Sequence, residues 1–376
     1  MRIGFDAKRA YCNTRGLGNY SRDTIRILTN HFLQDEFYLF TPKVKKGITV
    51  TAHRANSTTI MPQGIYSHSP LSSLWRTTSI CKNIKEANID LYHGLSHELP
   101  YGIEKTHAKS VVTMHDVIFL KNPELFPFFD RYSFKKKYFH GCKVADRIIA
   151  ISQQTKSDLI EYMGLNEELI DVVYQGCNPI FHQSIDENLL ERTRIDYQLP
   201  TDFMLIVCAI ERRKNHELIL KAMRNPQIDL PLVIVGRGDE YKKELIEMAQ
   251  KWGIEKRLIF LNEINTDVLP TLYKLATIFV YPSLFEGFGI PILEALTVGT
   301  PVITSKGSCF KETGGDAAQY VSCNDDEELA STIIQVLNDK TLQKEMIEKG
   351  YLHAQQFSDE AIAQNIMNVY HKALAQ

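Results

Sequence analysis

Glu286 and Glu294 lie eight residues apart in the segment PSLFEGFGIPILEALT, residues 282–297, separated by Gly287, Gly289 and Pro291. An apolar run of strand length, 277–281, precedes them. Proline suits the first turn of a helix because its missing N–H would be unpaired there anyway. The spacing therefore predicts a strand, a glycine turn presenting Glu286, and a helix whose first turn carries Glu294. Free N–H groups at such a turn bind polar oxygens, and a carboxylate among them accepts hydrogen bonds from hydroxyls. Sugars and ribose supply hydroxyls, so the segment reads as a sugar-nucleotide site. The plainer reading is a Gly-x-Gly turn before a helix with a glutamate serving as dipole partner.

Three further groups of residues could carry chemistry. Arg213 and Lys214, in AIERRKN (209–215), stand at the carboxyl end of an apolar run. A guanidinium forks two phosphate oxygens and an ammonium adds a point charge, so the pair suits a diphosphate and the charge that grows on it as it departs. Basic residues at a helix start are also commonly just solvated. His115 and Asp116 close another run, where a histidine serves as base, charge partner or core residue. The segment Gly16-Leu-Gly18-Asn-Tyr-Ser invites a dinucleotide-loop reading, but about ten residues separate it from the first strand and Ser21 replaces the third glycine. A glycine turn opening a helix can still face a diphosphate through its N–H groups.

The elements that must position these residues follow from the apolar pattern. A chain of 376 residues, 44% hydrophobic and 23% charged, fits two domains. Runs at 2–5, 37–40, 91–93, 110–114, 147–151 and 171–174 read as strands, with helices near 18–32, 70–87, 129–142 and 153–163. After a polar stretch, 178–202, the pattern restarts with strands at 203–210, 232–235, 258–261, 277–281, 301–304 and 319–321. Helices at about 215–224, 240–252, 266–275 and 291–298 alternate with these, and the chain reads as helical after 325. Near-continuous apolar strands alternating with helices indicate parallel sheets covered on both faces. Two doubly wound domains with a cleft between them is the economical architecture, because ligands bind outside the strand carboxyl ends. The net charge of −2 gives no argument for nucleic acid. Seven scattered cysteines without Cys-x-x-Cys indicate reduced thiols in a cytosolic protein. The N-terminus lacks a signal-peptide core, and no run reaches the ~18 apolar residues of a membrane span.

The wording PSxxEGFGxPxxEA resembles the signature of the family-four retaining glycosyltransferases. The resemblance implies a GT-B fold: an acceptor-side Rossmann-like domain at 1–185, a donor-binding one at 186–356, and a C-terminal helix, 357–376, crossing back to the first. It implies that Glu286 and the loop Gly287, Phe288, Gly289 and Ile290 hold the donor sugar, that Glu294 holds the ribose, and that Gly16 and Gly18 with Tyr20 face the diphosphate. Arg213 and Lys214 match the family's E-P-R-K-N, with Arg212 in place of proline and Cys208 where glycine is usual. His115 is implied to act near the reacting carbon, with Asp116 orienting it or meeting the acceptor. Backbone near 260–264, including Leu261, Asn262 and Ile264, is implied to meet the base. Further matches (151–158, 173–176, Gly236, Gly238, Glu312 and 315–318) extend along nearly the whole chain.

No Asp-x-Asp occurs in the sequence, whereas metal-held diphosphates commonly need carboxylates so spaced. No metal and no cofactor are therefore expected, the donor being a substrate. Residues 128–140 mix aromatics with Arg131, Lys135, Lys136 and Lys137, which suits a helix lying on an anionic membrane surface; the alternative packs the aromatics in the core and the lysines in water. The expectation is a cytoplasmic hexosyltransferase, peripheral to the membrane if the helix docks, transferring mannose, glucose or a related unit to a saccharide or lipid-linked acceptor in surface polysaccharide synthesis. The competing readings are an epimerase or hydrolase on the same fold and a non-catalytic saccharide-binding relative.

Overall fold

The structure is a computed structural model that describes residues 1–67, 71–262 and 264–376, without the side chain at 73. Pro70, the first residue of the helix expected at 70–87, and residue 263 within the expected base region lie outside the described residues. The chain forms two compact units: Met1–Gln175 together with Ser358–Gln376, and Gly176–Phe357.

The first unit is built on seven parallel strands: β1 (Arg2–Asp6), β2 (Glu36–Phe40), β3 (Ser57–Ile60), β4 (Leu91–Gly94), β5 (Lys109–Met114), β6 (Arg147–Ala150) and β7 (Ile170–Val172). Their order is β3-β2-β1-β4-β5-β6-β7. Because side chains alternate across a strand, Leu91, Val111 and Ile149 enter one apolar core while Tyr92, Val112 and Ile148 enter another. The edge strand β3 is absent from the apolar pattern because its residues, Ser-Thr-Thr-Ile, are polar and half exposed.

The last helix, Asp359–Leu374, covers the first of those cores. Ser358 caps it by accepting from the Ala361 N–H. Ile362, Ile366 and Tyr370 recur every four residues and so share one face; all three are buried. Each such side chain contributes roughly 1.5–3 kcal/mol. Arg26 on the helix Gly16–His31 pairs with Asp359 at 2.5 Å.

The second unit carries six parallel strands: β8 (Met204–Val207), β9 (Leu232–Val235), β10 (Leu258–Leu261), β11 (Ile278–Tyr281), β12 (Val302–Ser305) and β13 (Ala318–Val321), in the order β10-β9-β8-β11-β12-β13. Residues 176–185, expected with the first domain, belong to this unit. Phe181 packs edge-on to Tyr273 and the Cys177 thiol meets the Thr297 hydroxyl at 3.5 Å, contacts that a reading of local apolar pattern does not supply. Both sheets reverse direction between their first and fourth strands, at β1/β4 and β8/β11, which are the positions where doubly wound sheets bind ligands.

Candidate functional site

At the β8/β11 reversal three expected residues meet. The Glu286 carboxylate pairs with Lys214 Nζ at 2.5 Å and with Arg213 Nη1 at 2.8 Å. Oε1 also accepts from the Tyr281 hydroxyl at 2.9 Å and from Ser283 Oγ at 2.7 Å. Oε2 accepts from Arg213, which leaves it lone-pair capacity for one more donor. Burial opposes the charge on Glu286, but Lys214 and Arg213 overcome it and hold the carboxyl down at about 2. Tyr281 and Ser283 were not singled out in the sequence. The strand end and the PS of the motif placed them close to Glu286, but nothing in the spacing shows that their hydroxyls turn toward it.

Local structure fixes this cluster. Asn215 adopts φ 59°, a conformation asparagine tolerates better than most residues, and its amide donates to the carbonyls of Pro282 and Cys323. That bridge ties the loop after β8 to the one after β11. Arg213 Nη1 also donates to the Phe285 carbonyl and Nη2 to Glu211 Oε1 at 2.7 Å. The turn after β9 packs against the same loop: Cys208 N–H donates to Val235 O and Ile210 N–H to Arg237 O. A Cβ on Gly236 would lie 1.8 Å from the Cys208 carbonyl, and one on Gly238 2.1 Å from that of Ile210. Cys208 stands where the resembled family has glycine; burial pushes its thiol up to about 12, and its sulfur lies 3.5 Å from His216 Nε2.

The glycine turn behaves as expected and the helix start shifts. Gly289 takes φ 95°, and the helix runs Ile290–Val298 with Pro291 in its first turn. Its first turn contains no acidic residue, so Glu294 belongs to the second turn, and the dipole reading of that glutamate fails. The Tyr273 hydroxyl donates to Glu294 Oε2 at 2.8 Å instead. Phe288 is buried against Phe357, and its carbonyl accepts from the Thr313 hydroxyl. Ser308 Oγ and Cys309 Sγ donate to the Glu286 carbonyl oxygen. Leu261 ends β10, at the sheet edge two strands from β8, and Asn262 accepts from Lys242 at 3.1 Å. Ile264 follows, partly buried.

In the first unit, His115 is buried after β5, with Nε2 3.0 Å from the Leu95 carbonyl. A carbonyl only accepts, so Nε2 carries the proton and Nδ1 holds the lone pair. Burial lowers its pKa to about 4, which keeps the ring neutral. The ring is held by Leu95 and by the edge-on Tyr20 ring at 4.5 Å, and His97 Nε2 accepts from the His115 N–H. Asp116, expected to orient this ring or to meet the acceptor, accepts from the Ile118 N–H through Oδ1. Tyr20 is itself tied down. Its hydroxyl meets Thr113 Oγ1 at 3.0 Å, Thr113 meets His93 Nε2 at 2.8 Å, and His93 Nδ1 meets the Tyr370 hydroxyl at 2.7 Å. Gly18 is required by crowding, since a Cβ there would lie 1.9 Å from the Asn13 carbonyl; Gly16, at the helix start, is in open space.

Sequence reasoning missed the charged cluster at the β1/β4 reversal. Arg76 is buried and pairs with Asp6 at 2.5 Å and Glu98 at 2.7 Å, and Lys137 reaches Glu98 at 3.3 Å. Burial opposes the charge on Glu98, but Arg76 and Lys137 hold its carboxyl at about 2. No short motif links residues 6, 76 and 98. Among the described residues no group of three or more His, Cys, Asp or Glu side chains is placed to hold a metal ion, and no helix is long and apolar enough to cross a membrane.

Known proteins resemble both units. Residues 15–180 match the family described as Glycosyltransferase Family 4, and residues 192–353 the family described as Glycosyl transferases group 1. The O-antigen chain mannosyltransferase B of Escherichia coli is 30% identical over 289 residues, 74% of this chain and 74% of that protein. The serotype-specific mannosyltransferase WbdA of Escherichia coli is 27% identical over 277 residues, 71% of this chain and 34% of WbdA, so the chain spans about a third of that protein's length. The solved sucrose-phosphate synthase of Thermosynechococcus elongatus superposes with a TM-score of 0.79 at 21% identity, covering 100% of this chain and 99% of that one, a likeness of fold. Two doubly wound parallel-sheet units with a last helix returning to the first match the GT-B fold. The chain belongs to the glycosyltransferases of that fold, enzymes that transfer a sugar from a nucleotide-sugar donor.

Proposed function

We propose that the chain is a retaining hexosyltransferase that moves mannose from a nucleoside diphosphate sugar to a saccharide or lipid-linked acceptor in surface polysaccharide synthesis, working on the cytoplasmic side of the membrane. The observation that carries the reading is the pairing of Arg213 and Lys214 with one ionised, nearly buried Glu286 at the strand reversal of the second unit. The names of the two mannosyltransferase relatives supply the choice of sugar and the pathway.

In this reading Arg213 and Lys214 receive the diphosphate and stabilise the charge that grows on it as the glycosidic bond breaks, so that no metal is needed. Glu286 aims both cations before the donor arrives, and its spare Oε2 lone pair accepts a hydroxyl of the donor sugar. Glu294, steadied by Tyr273, takes the ribose hydroxyls. Backbone around 261–264 meets the base. Gly16 and Gly18 open a helix whose first N–H groups face phosphate oxygens. His115, neutral and fixed by Leu95, Tyr20 and His97, positions the reacting sugar with its Nδ1 lone pair.

Thermal stabilisation by UDP, GDP and ADP, then by their mannose and glucose conjugates, with EDTA present, tests the reading. A ligand at a hundred times its Kd adds about 2.7 kcal/mol to the folded state. The expected result is a shift with one base that survives EDTA, followed by acceptor-dependent release of that nucleoside diphosphate with retained anomeric configuration. Donor consumption without acceptor would identify an epimerase or hydrolase instead. No shift with any nucleotide would leave a saccharide-binding relative.

A further inference from the structure

The aromatic, basic helix Phe128–Val144 divides into two halves with different surroundings. Its second half is core: Gly141 and Cys142 are buried, and Phe134 and Tyr138 pack against Phe119 at 5.8 and 5.2 Å. A Cβ on Gly141 would lie 2.9 Å from the His97 carbonyl, so this half sits tightly on the loop that carries His97. That contact fixes the helix to the first unit, while Lys135, Lys136 and Lys143 stay exposed along it. Its first turn is the reverse case. Phe128 is 70% exposed, Phe129 83% and Tyr132 66%, and Leu125 just before the helix is 45% exposed. Large apolar side chains concentrated this way at one helix start mark an interaction surface.

Charge selects the partner. Arg131 and Lys136 carry no ion pair among the described residues, and Lys135 lies over the Phe139 ring. Asp130 is the single acid of the helix, against Arg131, Lys135, Lys136, Lys137 and Lys143. Tyr132 and Lys136 also line a pocket of about 300 Å³ together with Tyr101, Lys137, His140 and Glu98. A second copy docking symmetrically would set these cations against their own images. Aromatic rings beside unpaired cations suit the interface of an anionic bilayer, where rings sit at head-group depth and each lysine adds attraction to the anionic surface.

We infer that the tip formed by Leu125, Phe128, Phe129 and Tyr132 inserts end-on into an anionic lipid surface, with Arg131, Lys135 and Lys136 on its head groups. The inference extends the lipid-linked acceptor reading, but its test uses neither donor nor acceptor. The full chain is sedimented with phosphatidylcholine vesicles made with and without phosphatidylglycerol. Binding is expected only with the anionic lipid, and raised salt weakens it. The double variant Phe128→Ser/Phe129→Ser, altered only at exposed positions, abolishes binding, and Lys136→Ala lowers the affinity about fivefold at low salt. Absence of wild-type binding, or equal binding by the double variant, overturns the inference. So does a lipid-free dimer, in sedimentation velocity, that the double variant dissociates, since the tip would then be a contact between copies. Stabilisation by nucleoside diphosphates is measured alongside and is expected to be the same in wild type and double variant. Its loss from both, with vesicle binding intact in the wild type, would refute the donor reading and leave the docking surface standing.

Discussion

The two strand reversals have the same topology and opposite charge. At β1/β4, two carboxylates, Asp6 and Glu98, share the buried Arg76 guanidinium. At β8/β11, two cations, Arg213 and Lys214, share the Glu286 carboxylate. Each trio has a fourth, half-exposed partner of balancing sign, Lys137 in one and Glu211 in the other. Water screens those outer pairs, so the less exposed trios set the local field. A surplus cation fits a diphosphate. A surplus carboxylate fits the hydroxyls of an uncharged saccharide. One topology repeated twice thus carries trios of opposite net sign.

Breaking the trios should expose that difference. Arg76→Ala leaves Asp6 buried without its guanidinium and should cost about 3–5 kcal/mol, read as a fall in the denaturation midpoint. A loss under 1 kcal/mol would mean the cluster is wetter than it looks. Glu286→Gln keeps the shape while removing the charge. It should lower kcat about 100- to 1000-fold and leave nucleoside diphosphate affinity within a few-fold of wild type. Alanine is the poorer probe, because it strips both cations of their partner and confounds turnover with folding.

Arg213→Ala should weaken nucleoside diphosphate binding about tenfold to a hundredfold by calorimetry, with a smaller folding loss than Arg76→Ala because Glu286 keeps Lys214. Tyr370→Phe, the mildest change, leaves His93 Nδ1 without its partner and should cost about 1–3 kcal/mol. If the chain through Thr113 and Tyr20 positions His115, the variant also loses kcat while nucleotide affinity holds.

Acid separates the units in a different way. Burial lowers His93 to about 3, His115 to about 4 and His97 well below its ordinary 6.5, all in the first unit; in the second it lowers His216 to about 4. The unfolded chain binds these protons near 6.5 and the folded chain does not. The stability these histidines contribute is therefore complete above pH 6.5 and falls as the pH drops from there toward 4, while Asp23, pushed up to about 6 by burial, offsets part of that loss as the pH falls below 6. Hydrogen exchange across that window should show the first unit loosening before the second. Glu98 and Glu286, both held at about 2, add a later loss as the pH falls from 4.5 toward 2.

Most of the strands and the Glu286, Arg213 and Lys214 constellation were legible in the residues, because each depends on neighbours within one loop or one apolar run. Buried parallel strands read as unbroken apolar segments, and the loops after them carry the chemistry. The edge strand Ser57–Ile60 escaped notice since a polar, half-exposed strand has no such signal. The place of Glu294 within its helix was misread by one turn, because helix starts depend on φ at Gly289 rather than on the proline alone.

What the sequence determined by itself was the alternation of strand and helix and the identity of the adjacent cations, Arg213 and Lys214, that the fold pairs with Glu286. The tertiary structure decided which distant groups meet. It brought Asp6, Arg76 and Glu98 onto one guanidinium, and it turned Tyr281 and Ser283 onto Glu286. It joined Tyr370 to Tyr20 through His93 and Thr113, and it left Phe128 and Phe129 in water while burying Gly141 and Cys142 of the same helix. The reason is that burial and pairing are properties of the folded surroundings. The spacing of residues along a chain does not contain the sign or the distance of a charge seventy residues away.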